Sequence, residues 1–302
     1  MDHLKAPVHF DVFVNGLVDI NTQKCIPTVV FSKVLIIEVA HVRELYQKAT
    51  RPVLRIAANV KHILFPKKNY VLYKGRILPQ PGDRLNGPDQ KDNEVFLNSA
   101  LKEATRVVTK LGCTQGDFLV DIGCGQGRLP IGLTRELPSL QYLGIDVSEG
   151  SIRWCRTHIE SQHPSYEFKH INLINARYNP SGYALDIDFH LPVSDVAADI
   201  VYMWGVVTNM EPEHLAAYAR EMSRILRNGG KAFLTANVED DVPQVSTNPA
   251  NYMPWKYSGP LNIVRYERHY FLDVFRHVGL TLTDYVYYGA GNCQSDLYFV
   301  KQ

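Results

Sequence analysis

A carboxylate at the mouth of a glycine-rich turn is the feature of this chain most suggestive of chemistry. Phe118-Leu-Val-Asp-Ile122 reads as a short buried strand. It runs into Gly123-Cys-Gly-Gln-Gly127, and a helix follows with Pro130 in its first turn, where a missing N–H costs nothing. Glycines let backbone approach a ligand, and a helix start offers unpaired N–H groups. The spacing G-x-G-x-G is shorter than the dinucleotide pattern G-x-G-x-x-G, and Arg128 stands where that pattern wants a small residue. Asp121, just ahead of the turn, repels a pyrophosphate and attracts an ammonium group. An ordinary strand-to-helix turn is the alternative reading of the stretch taken alone.

Three more strand ends carry side chains of interest. Asp146 follows the turn at the distance where an acid pairs with ribose hydroxyls, and it also suits the start of the helix after Ser148. Asn172 can meet an adenine edge or simply form a turn. Trp204 is a wall residue for a pocket or a core residue. Four strand ends converging on one edge are where open parallel sheets bind ligands.

The elements that must position these groups alternate strand and helix from residue 93 onward, which predicts a parallel sheet covered on both faces. Helices are expected over 93–111, 151–161, 212–226 and 270–277. Strands are expected over 118–122, 141–147, 166–172, 199–204, 231–237, 281–288 and 296–301, with Asn228-Gly-Gly230 stopping the helix ahead of the fifth. Residues 239–265 form a long insert holding Tyr252, Trp255 and Tyr257, and long loops in compact domains are usually functional or mobile. Pro79–Pro88 is the best linker. It sets off residues 1–85 as an N-terminal accessory region, with a strand over 8–14 and helices over 34–48 and 53–65, from a main domain over 86–302.

The charge of the accessory region is lopsided, with Arg43, Lys48, Arg51, Arg55, Lys61, Lys67, Lys68, Lys74 and Arg76 facing Glu44 alone. Such a stretch suits peripheral contact with an anionic membrane surface, or a solvated helix face. Over all 302 residues the net charge is only +1, with 45% hydrophobic and 21% charged residues. That balance describes a soluble globular protein and argues against a nucleic-acid partner. The start lacks the apolar core of a signal peptide, and no run reaches the length of a membrane span. Five scattered cysteines with no C-x-x-C fit free thiols in a reducing cytoplasm, and no metal set is apparent.

Val120-Asp-Ile-Gly-Cys-Gly-Gln-Gly-Arg128, Gly144-Ile-Asp-Val147 and Leu226-Arg-Asn-Gly-Gly230 resemble, in order, the signature motifs of class I S-adenosylmethionine-dependent methyltransferases. The likeness covers about two-thirds of the chain. It implies an α/β fold with a Rossmann-like seven-stranded sheet, parallel except for its last strand, and S-adenosyl-L-methionine as cofactor. By motif position, Asp121 faces the methionine amine. Gly123, Cys124, Gly125 and Gly127 pack against the cofactor, Asp146 with Val147 holds the ribose, Asn172 with Leu173 borders the adenine, and Trp204 sits near the methionine end. A narrower likeness, in Ile152-Arg-Trp-Cys, Phe168-Lys-His, Asn175-Ala-Arg-Tyr-Asn-Pro-Ser-Gly182 and Gln294-Ser-Asp-Leu, is to a bacterial branch with a Y-N-P-x-G stretch, often associated with polysaccharide or glycolipid biosynthesis. The branch usually has Asp at position 172 and Thr-His-Met where this chain has Thr208-Asn209-Met210.

The branch likeness implies a sugar-hydroxyl acceptor on a glycan or glycolipid, with Tyr178 and Asn209 as acceptor contacts; Tyr252, Trp255 and Tyr257 of the insert are further candidates, since planar aromatics bury sugar faces or apolar acceptors. A hydroxyl needs a base in reach, and Asn209 cannot serve. Glu211 and His190 are the candidates by expected position. Glu211 equally suits a helix start, and His190 a loop. Rival readings are a phenolic, lipid-like or protein acceptor, and a module that binds the cofactor without chemistry.

Overall fold

The computed structural model describes residues 68–85, 87–186, 188–252, 263–289 and 294–302. The chain divides into two compact units, Met1–Lys67 and Lys68–Gln302. All described residues belong to the second. The strand and helices expected within 8–65, and the basic residues from Arg43 to Lys67, lie outside the described residues.

The second unit opens with a hairpin, β1 (Tyr70–Tyr73) and β2 (Arg76–Pro79), paired antiparallel. Its turn residues Lys74 and Gly75 have φ of 46° and 70°, the left-handed pair that matches the twist of a two-residue hairpin. The division therefore falls ahead of this hairpin and not near residue 85. The stretch expected to be a linker is stapled down by Arg84, whose guanidinium donates to the carbonyls of Pro79, Gln90, Lys91 and Asp92 and to Asn93 Oδ1. Two basic residues of the lopsided stretch have local partners here. Lys74 pairs with Glu94 at 2.5 Å, and Arg76 donates to the Ile131 carbonyl.

Helix α1 (Asn93–Thr109) is capped by Asp92, whose carboxylate accepts from the Val95 N–H at 2.9 Å, and it buries Phe96, Ala100, Ala104 and Val107 as the spacing predicts. Then follow β3 (Phe118–Ile122), α2 (Arg128–Glu136), β4 (Gln141–Asp146), α3 (Glu149–Cys155, continued by a π turn to Glu160), β5 (Tyr166–His170), β6 (Ala198–Met203) and α4 (Leu215–Ile225). After them come β7 (Leu226–Glu239), β8 (Val245–Thr247), β9 (Val264–Glu267), α5 (Arg268–Arg276), β10 (Leu280–Val286) and β11 (Ser295–Lys301). The seven long strands lie in the order β10-β11-β7-β6-β3-β4-β5, with β11 antiparallel to both neighbours and β3 to β7 parallel. This is the Rossmann-like class I methyltransferase fold. The chain reverses direction across β3, flanked by β4 on one side and β6 on the other, so the sheet's switch point falls at the glycine turn.

Two details depart from the expected elements. Part of the 239–265 insert is ordered: β9 extends the end of β7 in parallel, and β8 pairs with β9. Helix α4 ends at Ile225, ahead of the glycines. Leu226 already pairs with Ala198, and Asn228-Gly-Gly230 forms a kink inside β7, with Gly229 at φ 73° and a register shift between Ala198 and Ile200. Apolar clusters cover both faces. One is built on Val120, Val201, Leu234, Met222 and Phe275, the other on Leu119, Tyr142, Phe233, Leu133 and Ala100. Among the described residues no helix is long and apolar enough to cross a membrane.

Helices α1 and α2 touch through Gly132, where an added Cβ would sit 2.3 Å from the Ala100 carbonyl oxygen and 2.9 Å from Ala104 Cβ. Gly132→Ala is therefore expected to lower unfolding free energy by about 1–3 kcal/mol, although alanine is the better helix former. Urea denaturation checks this, and a stabilised variant would contradict the packing described.

Candidate functional site

The glycine turn is pinned onto the end of β4. The N–H groups of Gly123 and Cys124 both donate to the Ile145 carbonyl, at 2.7 and 3.1 Å, and the Gly125 N–H donates to Asp146 Oδ2 at 2.8 Å. The other oxygen of Asp146 accepts from the Ser148 N–H at 2.7 Å, which starts α3. Glycine is required at Gly123, where a Cβ would lie 2.1 Å from Val206 Cγ2. At Gly125 (φ 52°) nothing stands within 4 Å, so the backbone faces open space. That space is a cleft over the sheet edge. Of the residues expected to hold a cofactor, Gly123, Gly125, Asp146, Val147, Leu173 and Trp204 line it. Tyr178, Asn209 and Glu211, expected on the acceptor side, line it as well.

A smaller cavity adjoins the cleft across Gly123, Gly125 and Trp204, and Asp121, Cys124 and Gln126 face it. Asp121 is almost fully buried and accepts from Tyr142 Oη at 2.5 Å. Burial pushes its carboxyl up to about 7, against the pull of Tyr142 and Arg128; the carboxylates of Asp146 and Glu103 add to the rise. Burial also raises Asp146, while its backbone hydrogen bonds hold it down. Gln126 Oε1 is buried with no hydrogen-bond partner. The Arg128 guanidinium stacks on the Trp204 ring at 3.9 Å, fixing the wall between the two spaces.

Four expected site residues stand elsewhere. Gly127 caps α2 with φ 75°, and a Cβ there would meet Ile159 Cδ1 at 2.4 Å, so it serves helix packing. Asn172 turns away from the cleft and accepts from Asn179 Nδ2 at 2.9 Å, while its neighbours Ile171 and Leu173 line the wall. His190 is largely exposed and bound to Glu221 at 2.9 Å; Glu221 also accepts from the Leu191 N–H and from Arg224, anchoring that loop to α4. Tyr252 is buried, donates to Glu239 at 2.9 Å and is not among the cleft-lining residues. Trp255 and Tyr257 lie outside the described residues.

His214 and Gln294 are among the cleft residues that were not anticipated. His214 ends a 3-10 turn begun at Pro212, and its spacing of three from Glu211 brings both to the rim. Burial holds its imidazole below the usual histidine value, though Glu211 and Glu213 pull the other way. Gln294 reaches the cleft from the start of β11.

The Asn175–Gly182 stretch builds one wall. Asn175 Oδ1 accepts from the N–H groups of Arg177 and Tyr178, Asn179 Nδ2 also donates to the Leu173 carbonyl, and a Cβ on Gly182 would lie 2.4 Å from the Leu173 backbone. Gly182→Ala should therefore shift Leu173 and weaken S-adenosylhomocysteine binding at least tenfold, by calorimetry, where Gly132→Ala leaves it within about threefold. Equal effects from the two changes would mean the wall is not load-specific to the cleft.

Residues 119–230 match a family model described as a methyltransferase domain. A curated relative, the demethylmenaquinone methyltransferase of Lactobacillus johnsonii, is 27% identical over 169 residues, covering 56% of this chain; the chain spans 61% of that protein. Among solved structures, geranyl diphosphate C-methyltransferase from Streptomyces coelicolor A3(2) aligns at a TM-score of 0.49 with 13% identity, over 74% of this chain and 87% of that one. A TehB-like SAM-dependent methyltransferase from Corynebacterium glutamicum aligns at 0.42 with 16% identity, over 66% and 88%. Residues 119–230, which hold the glycine turn, Asp146 and the β3-centred switch point, are thus similar to a methyltransferase domain.

Proposed function

We propose that the chain is an S-adenosylmethionine-dependent methyltransferase acting on a hydroxyl of a small acceptor, with a saccharide of a cell-envelope glycan or glycolipid as the first class to test. The end of β4 carries the reading. The Asp146 carboxylate borders the cleft with each oxygen already accepting one backbone N–H, which leaves each oxygen a lone pair for a ribose hydroxyl. Ile145, Val147, Ile171 and Leu173 supply apolar walls of the kind an adenine ring needs. The open backbone at Gly125 admits a ligand, and Asp121 supplies the negative charge an ammonium seeks. The residues present fit that cofactor. When bound, it supplies a methyl already activated on a sulfonium, so the chain's own tasks are placement and proton removal.

For proton removal the cleft offers His214 and Glu211. Burial holds His214 below the usual histidine value, which favours the neutral imidazole that can take a hydroxyl proton, and Glu211 can stabilise the imidazolium that results. Asn209 replaces the histidine usual in the resembling branch, and His214 supplies imidazole from the next turn. Asn209, Glu211 and His214 give this end a polar rim, which favours a hydroxylated acceptor; Trp204, Val206 and Met210 beside it suit the face of a ring.

Calorimetry with S-adenosylhomocysteine and with NAD tests the cofactor. The first should bind and the second should not. Asp146→Ala should weaken the first by about 1.5–3 kcal/mol, the scale of charge-assisted hydrogen bonds. Affinity should also fall as pH drops from 8 to 6, because Asp121 is protonated through about 7 and loses its attraction for the ammonium. In Asp121→Asn that dependence should flatten. Tight NAD binding with no S-adenosylhomocysteine signal would end this reading.

Turnover should be measured as S-adenosylhomocysteine release over a panel of methyl glycosides and phenols. The rate should decline on the acid side with a midpoint below the usual histidine value of about 6.5, as His214 gains its proton. His214→Gln should lower kcat about 100-fold and remove that limb. A limb that persists unchanged in the variant would transfer the role to another group.

A further inference from the structure

A hydrogen-bond relay runs from the end of β6 through β7 to the start of β11 and finishes in the cleft. The Gly205 N–H donates to Thr235 Oγ1 at 2.8 Å, and Thr235 Oγ1 donates to Gln294 Oε1 at 2.5 Å. Thr235 is 2% exposed, so water cannot take its hydroxyl proton. One of its lone pairs already receives Gly205. Among the described residues the recorded acceptor for that proton is Gln294 Oε1. Flipping the amide would leave a buried hydroxyl with nowhere to donate. The relay therefore fixes which end of the amide is which. Oxygen faces Thr235, and the NH2 group, with two donors, is left over. Among the described residues nothing accepts from it, and Gln294 borders the cleft beside Trp204 and Gly205.

We infer that Gln294 is an acceptor-specificity residue, its oriented NH2 group donating to an oxygen of the methyl acceptor and so selecting molecules that carry a hydroxyl, carbonyl or phenolate oxygen next to the methylated position. The inference rests on the methyl-transfer reading and deepens it. Donors fixed before the ligand arrives cost little ordering on binding. They also reject an analogue lacking the oxygen, because the donors are then left buried and unpaired. Sited at the β6 and β7 ends, opposite the adenine wall formed by Ile171 and Leu173, Gln294 belongs to the part of the cleft where an acceptor meets the methyl group.

The test uses the full chain, with methyl α-D-glucopyranoside and its deoxy analogues, and catechol against phenol, as acceptor probes. Gln294→Glu keeps the shape and an acceptor for Thr235 but removes the donors. Gln294→Ala removes both. Each should raise the KM of a vicinal-oxygen probe at least tenfold, change kcat by less than about threefold, and leave S-adenosylhomocysteine affinity unchanged. Each should also shrink the preference of catechol over phenol, or of the glucoside over its deoxy analogue. Thr235→Ser, which retains the hydroxyl, should behave as wild type, and Thr235→Val should reproduce the loss of preference. Unchanged KM and preference in both Gln294 variants would overturn the inference. So would weakened S-adenosylhomocysteine binding in both, which would assign Gln294 to the cofactor. Absence of turnover by the wild-type chain with every probe would instead overturn the methyl-transfer reading, and this inference with it.

Discussion

The attachment of the glycine turn to the end of β4 is the constraint on which the site depends. Three N–H groups of one turn, from Gly123, Cys124 and Gly125, are taken up by the Ile145 carbonyl and the Asp146 carboxylate. Buried backbone donors must be satisfied somewhere. Satisfying them on the neighbouring strand closes the gap between β3 and β4 and aims the turn's open side at the cleft. Asp146 thereby joins two jobs. It ties down the turn, and in the proposed function it keeps lone pairs for a ribose. An amide at this position would retain only one acceptor oxygen for both, which is why the residue type matters beyond its charge.

Beneath the turn lies a buried charged network that adjoins Asp121. Glu103 on α1 meets Arg106, Tyr202 and, at 3.8 Å, Arg128. Arg106 continues to Asp296 at 2.9 Å, where Tyr288 also donates. Three carboxylates, Asp121, Glu103 and Asp296, thus share two guanidinium groups. Burial is the main reason Asp121 rises to about 7; Arg128 pulls it down, and the Glu103 carboxylate adds a smaller push upward. Removing one member of such a cluster leaves a buried charge uncompensated, at a cost of about 3–5 kcal/mol. The arrangement makes the smaller cavity receptive to a cation, and it couples the helix layer to the floor of the site.

Much of this was legible in the sequence because local spacing carries it. Asp121 ahead of a glycine turn, Asp146 one strand later and Trp204 at the next strand end follow from strand–helix alternation alone, and all three stand at the cavities. The misplacements arise where side-chain partners decide. Asn172 is at the expected strand end, but Asn179 is within reach and takes its amide oxygen. His190 sits on a loop whose attachment to Glu221 no periodicity reveals. Tyr252 finds Glu239. Gln294 was the opposite case. It enters through β11, whose antiparallel pairing with β7 brings the chain's end to the switch edge, a contact between segments far apart in sequence. His214 was readable in principle, since Glu211-Pro-Glu-His214 spaces an acid and an imidazole by one turn.

The Y-N-P-x-G stretch shows why a motif need not name a substrate. Asn175 and Asn179 exchange backbone hydrogen bonds at 3.0 and 2.9 Å and use their side chains to hold Arg177, Tyr178 and Leu173. Gly182 passes so close to Leu173 that no side chain fits. Each of these residues has a structural reason to be what it is, and the reason is the same one: to brace the wall behind the cleft. Asn175 extends the brace across the opening by donating to the Asn209 carbonyl at 2.8 Å, so the loop also fixes the turn that precedes Glu211 and His214. Within the stretch Asn175, Arg177 and Tyr178 line the cleft. Any preference the stretch confers on an acceptor must therefore act through those three residues, or through the placement of the Asn209 turn, while Asn179 and Gly182 maintain the shape.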